Sequence, residues 1–158
     1  MPTFASKTDL DKGRFALLVH DDYELVVDEV KEDMQEKYGG VKDKEGNPIM
    51  EQIVNIVFKV MGFRGGVGIC TDEEGKDAVG RKVFFTARPA SCGFMRDGTP
   101  SKTRTLVAYA LGQDVSGEIV FDDWLELQGR TLYAEVIQKE TPKGKRNAIS
   151  RFLLPPRE

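Results

Sequence analysis

The ten residues Gln52-Ile-Val-Asn-Ile-Val-Phe-Lys-Val-Met61 constrain the fold of this chain more than any other stretch. Successive side chains of a strand point to opposite sides, so Val54, Ile56, Phe58 and Val60 share one face. Ile53, Asn55, Val57 and Lys59 share the other. One face is wholly apolar and the other half polar, which is the pattern of a sheet with one side on a core and one side toward water. Any fold for this chain must cover the first face and leave the second open.

Four more segments read as strands. Tyr23–Val30 places Tyr23, Leu25 and Val27 on one side. Gly80–Arg88 divides into Val83, Phe85 and Ala87 against Lys82, Phe84, Thr86 and Arg88. The stretch Gly129–Leu154 reads as two strands, the first marked by Thr131, Tyr133, Val136 and Ile137, joined through Thr141-Pro-Lys-Gly144. Pro142 pre-sets φ for that turn and Gly144 accepts a positive φ at no steric cost. The phase of Tyr133 stays open, since Tyr133 and Ile137 can equally be the core set.

Ser101–Gly112 has the marks of a helix, with Ser101 or Thr103 as its amino cap and Gly112 at its carboxyl end. A second short helix is expected from Asp122 or Asp123, burying Trp124, Leu125 and Leu127. Residues 31–50 read as a long charged connection with a helical turn near Asp33–Lys37, and residues 62–80 and 89–100 as loops rich in Gly, Pro and Ser. Residues 1–19 read as an arm or short helix ahead of a domain spanning 20–158. Five strands with a helix between the third and fourth give an all-β fold with a minor helix, in the chain order of the five-stranded OB-fold Greek-key barrel. An SH3-like barrel or a β-sandwich has a similar element count.

Composition narrows the function classes. At 158 residues the chain is one domain by default, with a formal net charge of −3. That balance argues against a polycation that coats DNA, but binding depends on where charge sits rather than on its sum. No apolar run is long enough to span a membrane, and Met1-Pro-Thr-Phe4 has no basic stretch leading into an apolar core. The expected place is therefore the cytoplasm, and the expected state of Cys70 and Cys92 is two free thiols. A single histidine, His20, removes the usual parts of metal sites and of Ser/His/Asp or Cys/His catalysis. His20-Asp21-Asp22 alternates across a strand and cannot converge on a metal, and Gly62–Gly68 lacks the Lys-Ser/Thr ending of a phosphate loop. The reading expects no enzyme, no cofactor and no metal.

Positive charge is concentrated around the last turn: Lys139, Lys143, Lys145 and Arg146, with Arg151 on the returning strand, against the single acid Glu140. On an OB-fold this hairpin and the 31–50 connection would flank the face carrying Lys59, Lys82, Phe84 and Arg88. Binding a single strand needs cations along the phosphates and aromatic planes for the bases. Phe84 and Tyr133 are the candidate planes, although a loop could equally cover Phe84 and a basic turn can be no more than a solvated tip.

From Tyr23 to Phe152 the sequence resembles a family of phage and prophage single-stranded-DNA-binding proteins with the OB-fold, encoded among replication and recombination genes. The pieces that carry the resemblance are Tyr23–Val30, Gly46-Asn-Pro48 ahead of Ile53–Val60, and Gly80-Arg-Lys-Val-Phe84. Ala110-Leu-Gly112, Leu127–Val136 and Gly144 leading to Phe152 complete them. The resemblance implies sequence-tolerant single-stranded-DNA binding in the cytoplasm of a bacterial host, by a homo-oligomer such as a dimer. Phage replication or recombination proteins would be its partners. Phe152–Glu158 has no acidic run of the kind through which many bacterial single-strand-binding proteins recruit partners. The contrasting expectation is a non-enzymatic interaction or virion structural module on the same small barrel.

Overall fold

The computed structural model describes residues 16–36, 40, 42–66 and 68–156. Five strands form one antiparallel sheet: β1 (Asp21–Glu36), β2 (Met50–Phe63), β3 (Lys82–Ala87), β4 (Thr131–Thr141) and β5 (Gly144–Leu153). Their spatial order is β3-β2-β1-β4-β5. One α-helix, α1 (Lys102–Leu111), lies between β3 and β4 in the chain, and single 3-10 turns occupy Pro89–Ser91 and Trp124–Leu127. The mostly-β composition and the place of the helix agree with the sequence reading.

Alternation determines the core. Tyr23, Leu25 and Val27 from β1, Val54, Ile56, Phe58 and Val60 from β2, and Val83 and Ala87 from β3 are all buried. Leu132, Ala134 and Val136 continue that face into β4, with Ile149 and Phe152 from β5. Tyr133 and Ile137 are therefore the outward set of β4, half-exposed, which closes the question of their phase. Leu106, Val107 and Ala110 of α1 pack onto the same core. The Ser101 hydroxyl accepts from the Arg104 N–H at 3.1 Å to cap the helix, and Gly112 ends it in the left-handed conformation at φ 68°.

Three expectations need correction. The Asp33–Lys37 region holds no helical turn: Asp33–Glu36 continue β1 and pair with Ile53, Gln52, Glu51 and Met50. Lys37 lies outside the described residues. The polar composition there misled because a two-stranded ribbon needs no buried face, only a partner ladder. The charged connection shrinks to 37–49, and at the other end β2 runs on through Gly62 and Phe63. Leu125 is not buried; it is 56% exposed, while Trp124 and Leu127 on either side are in the core. The turn there is 3-10, whose threefold repeat puts residues 124 and 127 in line and 125 outside.

The 62–80 segment is also more than connection. Cys70 and Ala78 are buried in the core, and Thr71–Asp77 form a miniature hairpin. Its turn is held by Asp72, whose Oδ1 accepts from the N–H groups of Glu74 and Lys76 while Gly75 takes φ 79°. The same device recurs at Asp43 with Gly46, while in the turn at Met95–Thr99 Asp97 accepts only from Thr99 and Gly98 takes φ 87°.

Three register shifts, which leave Met61 of β2, Asp28 of β1 and Ser150 of β5 as extra residues in their ladders, add local bend and twist. The two end strands of the sheet face each other across a groove: Phe85 of β3 meets Phe152 of β5 edge-on at 5.3 Å. No ladder joins them among the described residues. Register also shows that two ribbons leave opposite ends of β1. Asp21 pairs with Val136, so Ile137–Thr141 and the start of β5 project past its first residue. Lys31–Glu36 and Met50–Asn55 project past the last residue that β4 covers.

Candidate nucleic-acid interface

The outward face of the sheet is built in rows. Lys82 of β3 lies directly opposite Lys59 of β2, which lies opposite Val26 of β1, itself opposite Thr131 of β4. In the next row Phe84 lies opposite Val57. Phe84 is 67% exposed, so the alternation that placed it outside the core leaves its ring uncovered. Lys59 is held by Asp28 at 3.5 Å, whereas Lys82 has no ion-pair partner among the described residues.

The β4–β5 hairpin has a two-residue turn, Pro142-Lys143. The Thr141 hydroxyl donates to the Gly144 carbonyl at 2.6 Å, and Gly144 takes φ 111°. Register puts Lys139 opposite Arg146 and Glu140 opposite Lys145. Lys139, Lys143, Lys145 and Arg146 are exposed, and none of them has an ion-pair partner among the described residues. Besides the acidic pair Asp22 with Glu135, the sheet thus carries two pairs of cations in direct cross-strand register, Lys59 with Lys82 and Lys139 with Arg146. Such pairs are destabilising, and an anion between or beside them relieves that cost.

The groove between the end strands joins the two sets. A hollow of about 600 Å³ runs between Lys82–Thr86 of β3 and Arg146–Ile149 of β5. A second of about 510 Å³ adjoins it, closed by Ala16, Leu17 and Leu18. Lys82 and Phe84 of the third strand and Arg146 of the basic hairpin, two separate parts of the sequence, line this groove together. Lys102, the first residue of α1, lines it too and donates to the Ile149 carbonyl at 3.3 Å. Sequence reasoning missed Lys102 because a lone lysine at a helix start carries no signal. It also missed Asn147, whose amide donates to the Leu18 carbonyl at 3.0 Å and accepts from the Leu18 N–H at 2.8 Å.

Three expected site residues are engaged elsewhere. Arg88 follows the last residue of β3, and its guanidinium meets Glu51 at 2.5 Å. Arg151 lies opposite Glu135 and pairs with it at 3.6 Å. That carboxylate also meets His20 at 3.3 Å, and the His20 hydrogen bond first, then Ser150 and the Arg151 charge, outweigh burial and hold Glu135 below the usual carboxylate range. Tyr133 is outward but sits opposite Glu24 and Leu153, with β1 and β2 between it and Phe84.

Below the groove, Arg81 anchors its floor. Its guanidinium donates to the buried Asp72 carboxylate at 2.7 Å and to the Ala16 carbonyl at 3.1 Å. Burial alone would raise the Asp72 pKa; the N–H groups of Lys76 and Glu74 and the Arg81 guanidinium more than offset it and hold the carboxyl below its ordinary value. Burial pushes both thiols up: Cys70, with Asp77 and Asp21 adding to the effect, and Cys92, against the opposing charge of Arg104. Both cysteines are free. Among the described residues no helix is long and apolar enough to cross a membrane.

No protein-family model matches the chain, and no curated protein sequence matches it.

Proposed function

We propose that this protein binds single-stranded DNA without enzymatic activity and with little sequence preference, on a five-stranded barrel of the OB type. The observation that carries the reading is the exposed Phe84 ring flanked by Lys82 and by Lys59 opposite it, with Arg146 and Lys102 along the same groove. Stacking on an aromatic plane beside cations that follow the phosphates is what a sequence-tolerant single-strand site requires. The strand order β3-β2-β1-β4-β5, with the two end strands drawn together over Phe85 and Phe152, supports the barrel assignment. Membership of the phage replication and recombination class is part of the same proposal, and rests on the sequence resemblance alone.

The test is a fluorescence-anisotropy titration of labelled single-stranded against double-stranded oligonucleotide at two salt concentrations. The reading expects tighter binding of the single strand and a steep loss of affinity with salt. Equal affinity for the duplex, or no binding at low salt, would remove it. A second reading, a protein-interaction module, is favoured by one feature. Met61, Ile69 and Val79 are exposed around a hollow of about 280 Å³ that also includes Glu24 and Asp77. That reading expects no oligonucleotide binding at low salt.

A further inference from the structure

The smaller hollow beside Phe84 has features that open sheet-face stacking does not require. Leu17, Leu18, Gly80, Lys82, Phe84 and Asn147 enclose about 510 Å³, within the range of about 300–1,000 Å³ typical of small-molecule sites. One wall is the Ala16–Leu18 segment, which belongs to no strand of the sheet yet is tied down at four points. Leu18 bridges to Asp72, exchanges two hydrogen bonds with the Asn147 amide, and its carbonyl accepts a third from Gln138 at 3.1 Å. Arg81 holds the Ala16 carbonyl. A wall fixed in this way makes a built cleft between an aromatic ring and an aliphatic side.

We infer that this hollow receives one unpaired nucleobase of a bound single strand, between Phe84 and the Ala16–Leu18 wall, while Lys82 and Arg146 hold the flanking phosphates. The inference rests on the single-strand reading above and names a site within it. The charge at the mouth fits a phosphodiester on either side of the inserted base, since Lys82 and Arg146 both line the groove and have no ion-pair partner among the described residues. The lining also fixes what kind of recognition is available. The Asn147 amide donates both to Leu18 and to the Ile137 carbonyl at 3.4 Å, so both of its N–H groups are taken up by backbone. What remains toward the cavity is largely aliphatic and aromatic. A base is therefore held by its flat face rather than read by its edge, and thymine and adenine are accepted alike. A duplex is excluded because its bases must unstack and unpair before one can enter.

The experiment compares the full chain on two 12-mers: oligothymidylate, and a strand of the same phosphate count with every base removed. Wild type is expected to bind the first more tightly by about tenfold or more, since each stacked base contributes roughly 1–3 kcal/mol. Ala16→Trp fills the hollow from the wall opposite Phe84 and leaves Phe84, Lys82 and Arg146 themselves unsubstituted, and is expected to cut that ratio by about fivefold or more, the least that loss of one stacked base gives. Phe84→Ala is expected to cut it similarly. A melting curve on each variant checks that it is folded, and Leu17→Phe replaces Ala16→Trp in the comparison if the latter melts early. If a folded, cavity-filled variant keeps the wild-type ratio, no base enters the hollow and the inference fails while single-strand binding stands. If wild type binds neither 12-mer at low salt, both the inference and the function fail.

Discussion

On the proposed single-strand reading, Lys82 is the residue at which stability and binding pull in opposite directions. It sits directly across from Lys59, and like charges in that register are unfavourable by a few tenths to about 1 kcal/mol. Lys82→Thr keeps strand propensity and removes the repulsion, so the unliganded protein is expected to gain roughly 0.2–1 kcal/mol in urea unfolding. The same variant should bind single strands more weakly, with the slope of log K against log salt shallower by about 0.7, the value for one phosphate contact on a single strand. A variant that gains stability and leaves the salt slope unchanged would place phosphate contact elsewhere. Asp72 belongs to the same scale. Its carboxyl is held below the ordinary aspartate pKa, so the charged form stabilises the fold at neutral pH. That contribution is fully present above the unfolded-state value, roughly 3.9, and is lost as pH falls through the lower folded-state value. Thermal melts between neutral and acid pH should show a smaller fall in melting temperature for Asp72→Asn, already lowered at neutral pH, than for wild type, the remainder coming from groups such as Glu135.

At the scale of elements, the basic hairpin and the capped helix make separate predictions. Replacing Lys143, Lys145 and Arg146 together by Ala should weaken binding to every single-stranded sequence alike, because phosphate contacts carry no base information. A sequence-dependent loss in the same anisotropy titration would mean that the hairpin reads bases. Ser101→Ala removes the acceptor for the Arg104 N–H and should cost about 1 kcal/mol of stability, seen as a lower denaturation midpoint with unchanged m-value. These elements were legible in the chain for local reasons: the alternation of Ile53–Val60, the Ser and Gly at the helix ends, and the Pro-Lys-Gly turn. What was illegible was non-local. Nothing in Lys31–Glu36 announces a strand, because its partner, Met50–Asn55, supplies the ladder and none of its own six side chains is buried. Of the expected site, Lys82, Phe84 and Arg146 do meet in one groove, whereas Arg88 and Arg151 are engaged by Glu51 and Glu135. Residue type alone cannot distinguish a cation aimed at solvent from one facing a carboxylate on a distant strand.

At the scale of the whole molecule, the two ribbons that leave opposite ends of β1 differ in sign. One carries Lys139, Lys143, Lys145 and Arg146; the other carries Glu32, Asp33 and Glu36 beyond the part of β1 that β4 covers. Ten residues of β1, Asp21–Val30, separate them, about 33 Å if fully extended. The formal net charge of −3 is thus spread unevenly, with cations gathered at the first ribbon and acids more numerous on the second. In the field of a polyanion such a molecule is turned before it touches, basic end forward, and the acidic end discourages approach from behind. Neutralising Glu32, Asp33 and Glu36 to Gln and Asn should therefore change the association rate at low salt and leave dissociation nearly untouched, an outcome that stopped-flow measurements at two ionic strengths can separate. If the protein binds a strand as proposed, the acidic ribbon would act as a rudder, adding nothing to the grip and a good deal to which side of the protein arrives first.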